Sequence, residues 1–544
     1  MGKGAAVMHI HFSFTSWRRP GCCPFALVLM SILFCGGHVV ADDNDDVQQL
    51  ATQIDEQIAR QWDKNNVSPA SRAEDSEFLR RGWLDIAGRI PTVADTSDFL
   101  EDSSPDKRRR LIDNLLDGPN YVVSSTNVWR RVLIPEADSN FNVRYMIPSF
   151  EGWLRRQFDE NKPYDELVKD ILTTPVSGVN VYDNSNASAV AFYQAKEIKP
   201  ENLAAATSRM FLGIRIECAQ CHDHPFDSWK QKDFWGYASF FSGMQRQRRQ
   251  NGFLGRLQEL FNRQSLKIPD SDEVVHATFL TGESPKIPAG SSARITLADW
   301  ITSKENPYFA RTAVNRIWGH LFGIGIVDPI DDFSDANPPS HPELLDLLAR
   351  EFVAHDYDLK FIIRAISASS AYQLTSAADD QKAEVDPRLF SRMPVKGMTA
   401  EQLFDSLSQA VGNHQSFDQL QQMRFAQTGR QAFIQQFSDS ANGPTDRETS
   451  VLQALAMMNG SLVAEATDLK QSRTLAGIID FPGFDDARRL EALFLATLNR
   501  KPRPAETEKF LPYISGADSA ENKATALSDV FWILLNSSEF SLNH

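Results

Sequence analysis

Apolar residues recur at helical spacing along most of this chain. Positions 47–61 and 107–117 carry them three and four apart, as in Leu111-Ile112 followed by Leu115-Leu116, and Gly118-Pro119 closes the second stretch. Both predict surface helices with one buried face. Residues 78–91 predict another helix, and 151–173 one or two more, with Pro163 starting a new turn because proline cannot continue the hydrogen-bond ladder. Residues 176–187 are rich in Ser, Asn and Gly and predict a loop. Pro200-Glu201-Asn202 then opens a helix through Ala204-Ala205-Ala206 to Met210-Phe211.

Beyond this the pattern changes. Residues 245–293 begin with Arg246, Arg248 and Arg249 and end in a Pro, Gly and Ser-rich tract at 281–292, with a strand pattern from Val274 to Leu280 between them. A linker or small β insert is expected at 246–293. Helical spacing returns at 294–320, 342–352 and 359–372, with a loop at 323–340, and again at 485–498 and 524–535. The fold class is therefore mainly α. A multi-helix N-terminal domain spans 42–245 and a helical C-terminal domain spans 294–544.

A chain of 544 residues with 42% hydrophobic and 23% charged positions has a globular balance and buries a sizeable core. Lys plus Arg number 56 against 71 Asp plus Glu, and a formal charge of −15 argues against a nucleic-acid partner. The first forty residues bear on the compartment. Arg18 and Arg19 precede the apolar run Phe25 to Phe34, and Val39-Val40-Ala41 resembles a cleavage site, so 1–41 is expected to be a signal peptide. That run is half the roughly 20 residues needed to cross a bilayer, and no later segment is apolar for long enough. An exported protein, periplasmic or extracellular, with no retained transmembrane segment is expected.

Export makes the cysteines informative. Of five, Cys22, Cys23 and Cys35 fall within the leader, leaving Cys218 and Cys221. They stand in Glu217-Cys218-Ala219-Gln220-Cys221-His222-Asp223-His224-Pro225-Phe226-Asp227, which contains C-x-x-C-H. The spacing suits covalent haem: two thiols add to the porphyrin vinyl groups, and the histidine that follows is carried under the iron. Chance placement of two cysteines and a histidine in this order occurs about once in 15,000 such chains. Other chemistry uses the same residues. The thiols could form a disulfide, leaving His222 without a role, or Cys218, Cys221, His222 and His224 could hold zinc, although four ligands within seven residues are cramped. His320 or His341 could complete such a site from a distance. The aromatic cluster Phe226, Trp229, Phe234, Trp235, Tyr237, Phe240 and Phe241 offers either a haem wall or ordinary core packing.

Two sets of motifs carry a family resemblance. Phe78-Leu79-Arg80-Arg81, Leu84-Asp85-Ile86-Ala87-Gly88-Arg89-Ile90-Pro91-Thr92 and the 217–227 segment with Trp229 and Phe240-Phe241 resemble domain of unknown function 1549, the cytochrome-associated domain of secreted planctomycete proteins. Leu297-Ala298-Asp299-Trp300, Asn306-Pro307-Tyr308-Phe309-Ala310-Arg311, Val314-Asn315-Arg316, Trp318, His320-Leu321-Phe322-Gly323 and 337–345 resemble its usual companion, domain of unknown function 1553. The resemblance implies an exported, cytochrome-like protein. It attaches no defined activity, so whether the chain is an enzyme stays open. Family members often carry a further N-terminal cytochrome c domain; this chain shows none, and its single C-x-x-C-H argues against a multi-haem relay.

If haem c binds, Cys218 and Cys221 supply the thioethers and His222 the iron ligand. The opposite face then decides the chemistry, and Met210, Met244 and His276 lie near enough in sequence to consider. Asp223, His224 and Asp227 are candidates to orient the ligand histidine, or else to cap the loop near Pro225. Asn315, Arg316, His320, Asp331, Asp332 and His341 group around an Asn-Pro-Pro-Ser-His loop as a candidate second polar site. Two readings follow. One is an exported c-type cytochrome-like protein with an exported redox partner; the other is a haem-free secreted metal-dependent enzyme or binding protein acting on extracellular polymer, with zinc or no cofactor. The oligomeric state is not legible.

Overall fold

Prolines and capping side chains set where the helices begin. The computed structural model describes residues 43–544 apart from 138–139, 177–187, 248–255, 378–384, 413–428, 438–462, 464–466 and 469–471. The expected signal peptide, nearly all of the 176–187 loop, and Arg248 and Arg249 lie outside the described residues. The first run of helices is α1 (Asp43–Asn65), α2 (Asp75–Gly82), α3 (Val93–Glu101), α4 (Lys107–Asp117), α5 (Pro119–Leu133), α6 (Phe141–Arg144), α7 (Ile147–Asp159), α8 (Tyr164–Thr173), α9 (Val190–Ala195), α10 (Pro200–Thr207) and α11 (Gln231–Ala238). Thr92 caps α3 in a reciprocal box with Asp95, and Pro119 and Pro200 occupy first turns, where a missing N–H leaves no bond unmade. The expected 78–91 helix is shorter than its pattern. After α2 the backbone widens into a π-turn, Trp83–Ala87, and stops at Gly88, whose φ of 71° suits glycine.

The second run is α12 (Ala293–Ile301), α13 (Phe309–Phe322), α14 (Pro342–Ala354), α15 (Leu359–Ala368), α16 (Ala400–Val411), α17 (Gly429–Phe437), α18 (Arg473–Asp480), α19 (Asp486–Thr497), α20 (Pro504–Ser515), α21 (Ala520–Leu535) and α22 (Ser538–Ser541). The 294–320 pattern is thus two helices rather than one continuous stretch. The Asn306 Oδ1 accepts from the backbone N–H of Tyr308 (3.0 Å) and Phe309 (3.1 Å), so the side chain competes with the helical ladder and restarts it after Pro307.

The insert is β-structured. β1 (Met244–Gln247) pairs antiparallel with β2 (Arg256–Glu259), and β3 (Ser265–Lys267) with β4 (Val274–His276), Leu266 facing Val275. The strand expected from Val274 stops at His276. A third pair joins β5 (Lys396–Gly397) to β6 (Leu542–Asn543). The protein is mainly α with these short antiparallel strand pairs.

Packing does not divide at the insert. Residues 43–544 form one packed unit. α1 lies on α15, α8 on α12 and α13 on α14, so one apolar core runs from Val47 to Met393. A second core gathers α16 to α21 and takes in Leu84 and Ile90 from the N-terminal half. Buried polar side chains join the two. The Arg80 guanidinium donates to the carbonyls of Thr497 (3.0 Å) and Phe540 (2.7 Å) and to Asn499 Oδ1 (2.7 Å), while Arg81 donates to the Tyr372 carbonyl (2.5 Å). Asp85 accepts from Lys396 Nζ (2.6 Å), Asn543 Nδ2 (2.6 Å) and Tyr372 OH (2.8 Å). The Arg-Arg and Leu-Asp-Ile motifs therefore clasp the C-terminal residues.

Candidate functional site

The cysteine motif is displayed by a short irregular passage after α10. The helix continues into a π-turn, Ser208–Leu212, and ends at Gly213, whose φ is 69°. A Cβ there would lie 2.5 Å from the ring of Phe333, so glycine is required both by conformation and by space. Ile214 and Ile216 then anchor the chain in the core, and Glu217–Gln220 forms a 3-10 turn with Ala219 buried. Because Ala219 points inward, Cys218 and Cys221 point outward; both are exposed free thiols, not a disulfide.

Helix α11 holds this turn from behind. Gln231 Nε2 donates to the carbonyls of Gln220 (3.2 Å) and Cys221 (3.0 Å), and Trp235 Nε1 donates to that of Gln220 (3.0 Å). His222 is exposed, with Nδ1 2.7 Å from the backbone carbonyl of Asp223. A carbonyl can only accept, so Nδ1 carries the proton and Nε2 presents a free lone pair.

The nearby candidates have mostly local work. Asp223 Oδ1 accepts from the N–H of Gln231 (3.0 Å) and Oδ2 pairs with Lys230 (3.3 Å); these two contacts hold its carboxyl below the usual range. Asp227 accepts from the N–H of Ser228, and His224 Nδ1 from that of Phe226 (3.3 Å). It is the Asp223 main chain, not any of these side chains, that orients His222. Phe234, Trp235, Tyr237, Phe240 and Phe241 are core residues, each at most 6% exposed, which leaves only Phe226 (89% exposed) and half-buried Trp229 on the outside. Met210 and Met244 are likewise packed in the core, whereas His276 is exposed on β4.

The second polar group separates into four places. Asp331 and Asp332 join the cysteine site: Asp331 pairs with Arg215 (2.6 Å) and Arg209 (3.6 Å), Asp332 lies 4.0 Å from Arg215, and Arg209 reaches Glu217 (3.7 Å). Burial pushes the Glu217 carboxyl above its usual range. Asn315 is wholly buried and binds the loop after α13, donating to the carbonyl of Val327 (2.9 Å) and accepting from its N–H (2.9 Å). His341, 1% exposed, packs on Phe390 and precedes α14. Arg316 and His320 line an internal cavity with Asp85, Tyr121, Ser125 and Trp129. Asp85, Tyr121 and Trp129 escaped sequence reading because they belong to other helices, hundreds of residues away in the case of Asp85.

The donor set on the turn fits haem c: two accessible thiols, and an imidazole with Nε2 free and Nδ1 tied to a carbonyl. Among the described residues, no group of three or more His, Cys, Asp or Glu side chains is placed to hold a metal ion. Nor, among them, is any helix long and apolar enough to cross a membrane.

Comparison with family models matches two in succession. Residues 53–246 match PSCyt2, Protein of unknown function (DUF1549), and residues 293–514 match PSD1, Protein of unknown function (DUF1553). Comparison with curated proteins and with solved structures found no match.

Proposed function

Since the chain belongs to the planctomycete cytochrome-like family in which DUF1549 is followed by DUF1553, we propose that it is an exported c-type cytochrome-like protein with an electron-transfer or haem redox role. The observation that carries this reading is His222: its Nδ1 is committed to the Asp223 carbonyl, so its free Nε2 stands beside two exposed thiols on one turn.

Cys218 and Cys221 would hold the group through thioethers, and His222 would be its iron ligand. When bound, haem supplies one-electron chemistry at iron. The protein's part is to fix the donors. Gln231 and Trp235 hold the turn by its carbonyls, and the Arg209, Arg215, Glu217 and Asp331 cluster braces the approach to it. Phe226 and Trp229 would offer exposed apolar surface a few residues after the motif. Met210 and Met244 are packed in the core, whereas His276 is exposed on β4, and an exported redox partner would meet the group at this surface.

The test is a haem-stained denaturing gel with a pyridine haemochrome spectrum, on chain exported from a host that matures c-type cytochromes. Covalent haem is expected, lost on Cys218→Ser with Cys221→Ser, and spectrally altered by His222→Ala. A haem-free chain from a host that matures a control cytochrome overturns the proposal.

A further inference from the structure

The cavity between α5, α13 and α15 lies apart from the cysteine turn and has a chemistry of its own. About 50 Å³ in volume, it holds several waters or a ligand of a few heavy atoms. Its wall is largely aliphatic and aromatic, with Ile317, Leu321, Val128 and Trp129 among the lining side chains. Arg316 and His320, one helical turn apart on α13, add the polar groups.

Arg316 is the unusual member. It is half-buried, and it lines the cavity. Its Nη2 donates to the Met210 carbonyl (3.3 Å), its Nε is buried without a partner, and among the described residues no carboxylate lies within ion-pairing distance, Asp331 acting on it only from farther off. A guanidinium stays charged at any ordinary pH, and an enclosed charge without a counterion is costly. Other buried cations of this protein have more partners: Lys396 pairs with Asp85 and Arg130 with Glu401, while Arg80, which also has no ion pair among the described residues, donates to backbone carbonyls and Asn499 Oδ1. His320 complements the charge. Its Nε2 donates to the Asp85 carbonyl (2.8 Å), which leaves Nδ1 as an acceptor, and burial lowers its pKa, keeping the ring neutral.

Asp85 also lines the cavity, but its carboxylate is committed to Lys396, so the wall offers Arg316, without an ion pair among the described residues, beside an aliphatic surface, and this suits an anion with a short apolar tail. We propose that this cavity binds a small monocarboxylate, its carboxylate on Arg316 and its tail against Trp129, Ile317 and Leu321. The guanidinium offers a carboxylate a charge-assisted hydrogen bond. Phosphate and chloride share the charge but have no apolar tail to use the wall.

The probes are acetate, propionate and butyrate, titrated into the full chain at constant ionic strength and read by fluorescence, since Trp129 lines the cavity. Saturable binding is expected at about millimolar strength for so few atoms. Trp129→Phe should remove the signal while calorimetry still detects binding. Arg316→Met should weaken binding about tenfold to a hundredfold, by loss of charge-assisted hydrogen bonds, and Arg316→Lys should restore part of it. Val128→Phe, which fills the space and leaves Arg316 in place, should block binding; each variant's unfolding midpoint checks that it is folded. No saturable response in the wild-type chain, an equal response to chloride or phosphate, or undiminished binding in folded Arg316→Met and Val128→Phe overturns the proposal.

Discussion

Replacing Asp85 by alanine should be among the most damaging single changes in the molecule. The carboxylate is 4% exposed and answers the Lys396 ammonium at 2.6 Å, while also accepting from Asn543 (2.6 Å) and Tyr372 (2.8 Å). Without it, Lys396 keeps only the carbonyls of Leu321 (2.5 Å) and His320 (3.3 Å). Breaking one side of a buried pair costs about 3–5 kcal/mol, against a total folding stability of about 5–15 kcal/mol. The cost has a pH signature. Burial already holds the Lys396 ammonium below its ordinary 10.5, with Asp85 opposing that shift, so removal of Asp85 lowers it further. The unfolded chain then binds the extra proton across a wider window below 10.5, and stability rises with pH wherever the unfolded state holds more protons. The deficit of Asp85→Ala relative to wild type should therefore shrink as pH rises toward the ordinary 10.5 of the lysine. Urea unfolding followed by fluorescence at several pH values measures this, with slopes compared to confirm like transitions. Pairing the change with removal of the cation, as Asp85→Leu with Lys396→Met, should recover much of the loss. A deficit under about 1 kcal/mol, or one that does not vary with pH, would refute the reasoning.

Two further outcomes follow from single sites. Gly213→Ala must adopt a φ of 69° with its Cβ against Phe333, which should lower stability by about 1–3 kcal/mol; an unchanged unfolding midpoint would contradict the crowding. Glu401 is buried, which raises its pKa, but Arg131 and Arg130 outweigh that and hold it at about 2. Its folded pKa is depressed, so its contribution is fully present above its ordinary 4.5 and lost as pH falls toward 2. Wild type should thus lose more stability than Glu401→Gln between about pH 5 and pH 3, and parallel acid-unfolding curves would count against the pairing.

Local pattern settled much of the secondary structure. Spacing of apolar residues placed α1, α4 and α14, prolines placed the starts of α8 and α10, and the C-x-x-C-H spacing picked out a turn where two free thiols and an exposed imidazole meet. Such features depend on neighbours within a turn or two of chain, which a sequence displays directly. The rest was decided by contacts between residues far apart. Nothing local marks Asp85 as the partner of Lys396 and Asn543, or moves Asp331 to the cysteine turn and Arg316 to a cavity with Trp129. Aromatic residues after the motif are equally suited to a haem wall and to a core; only packing by α11 and the β insert puts most of them inside. Burial and charge pairing are properties of the assembled surface around a side chain, and that surface exists only once helices from both ends of the chain have come together.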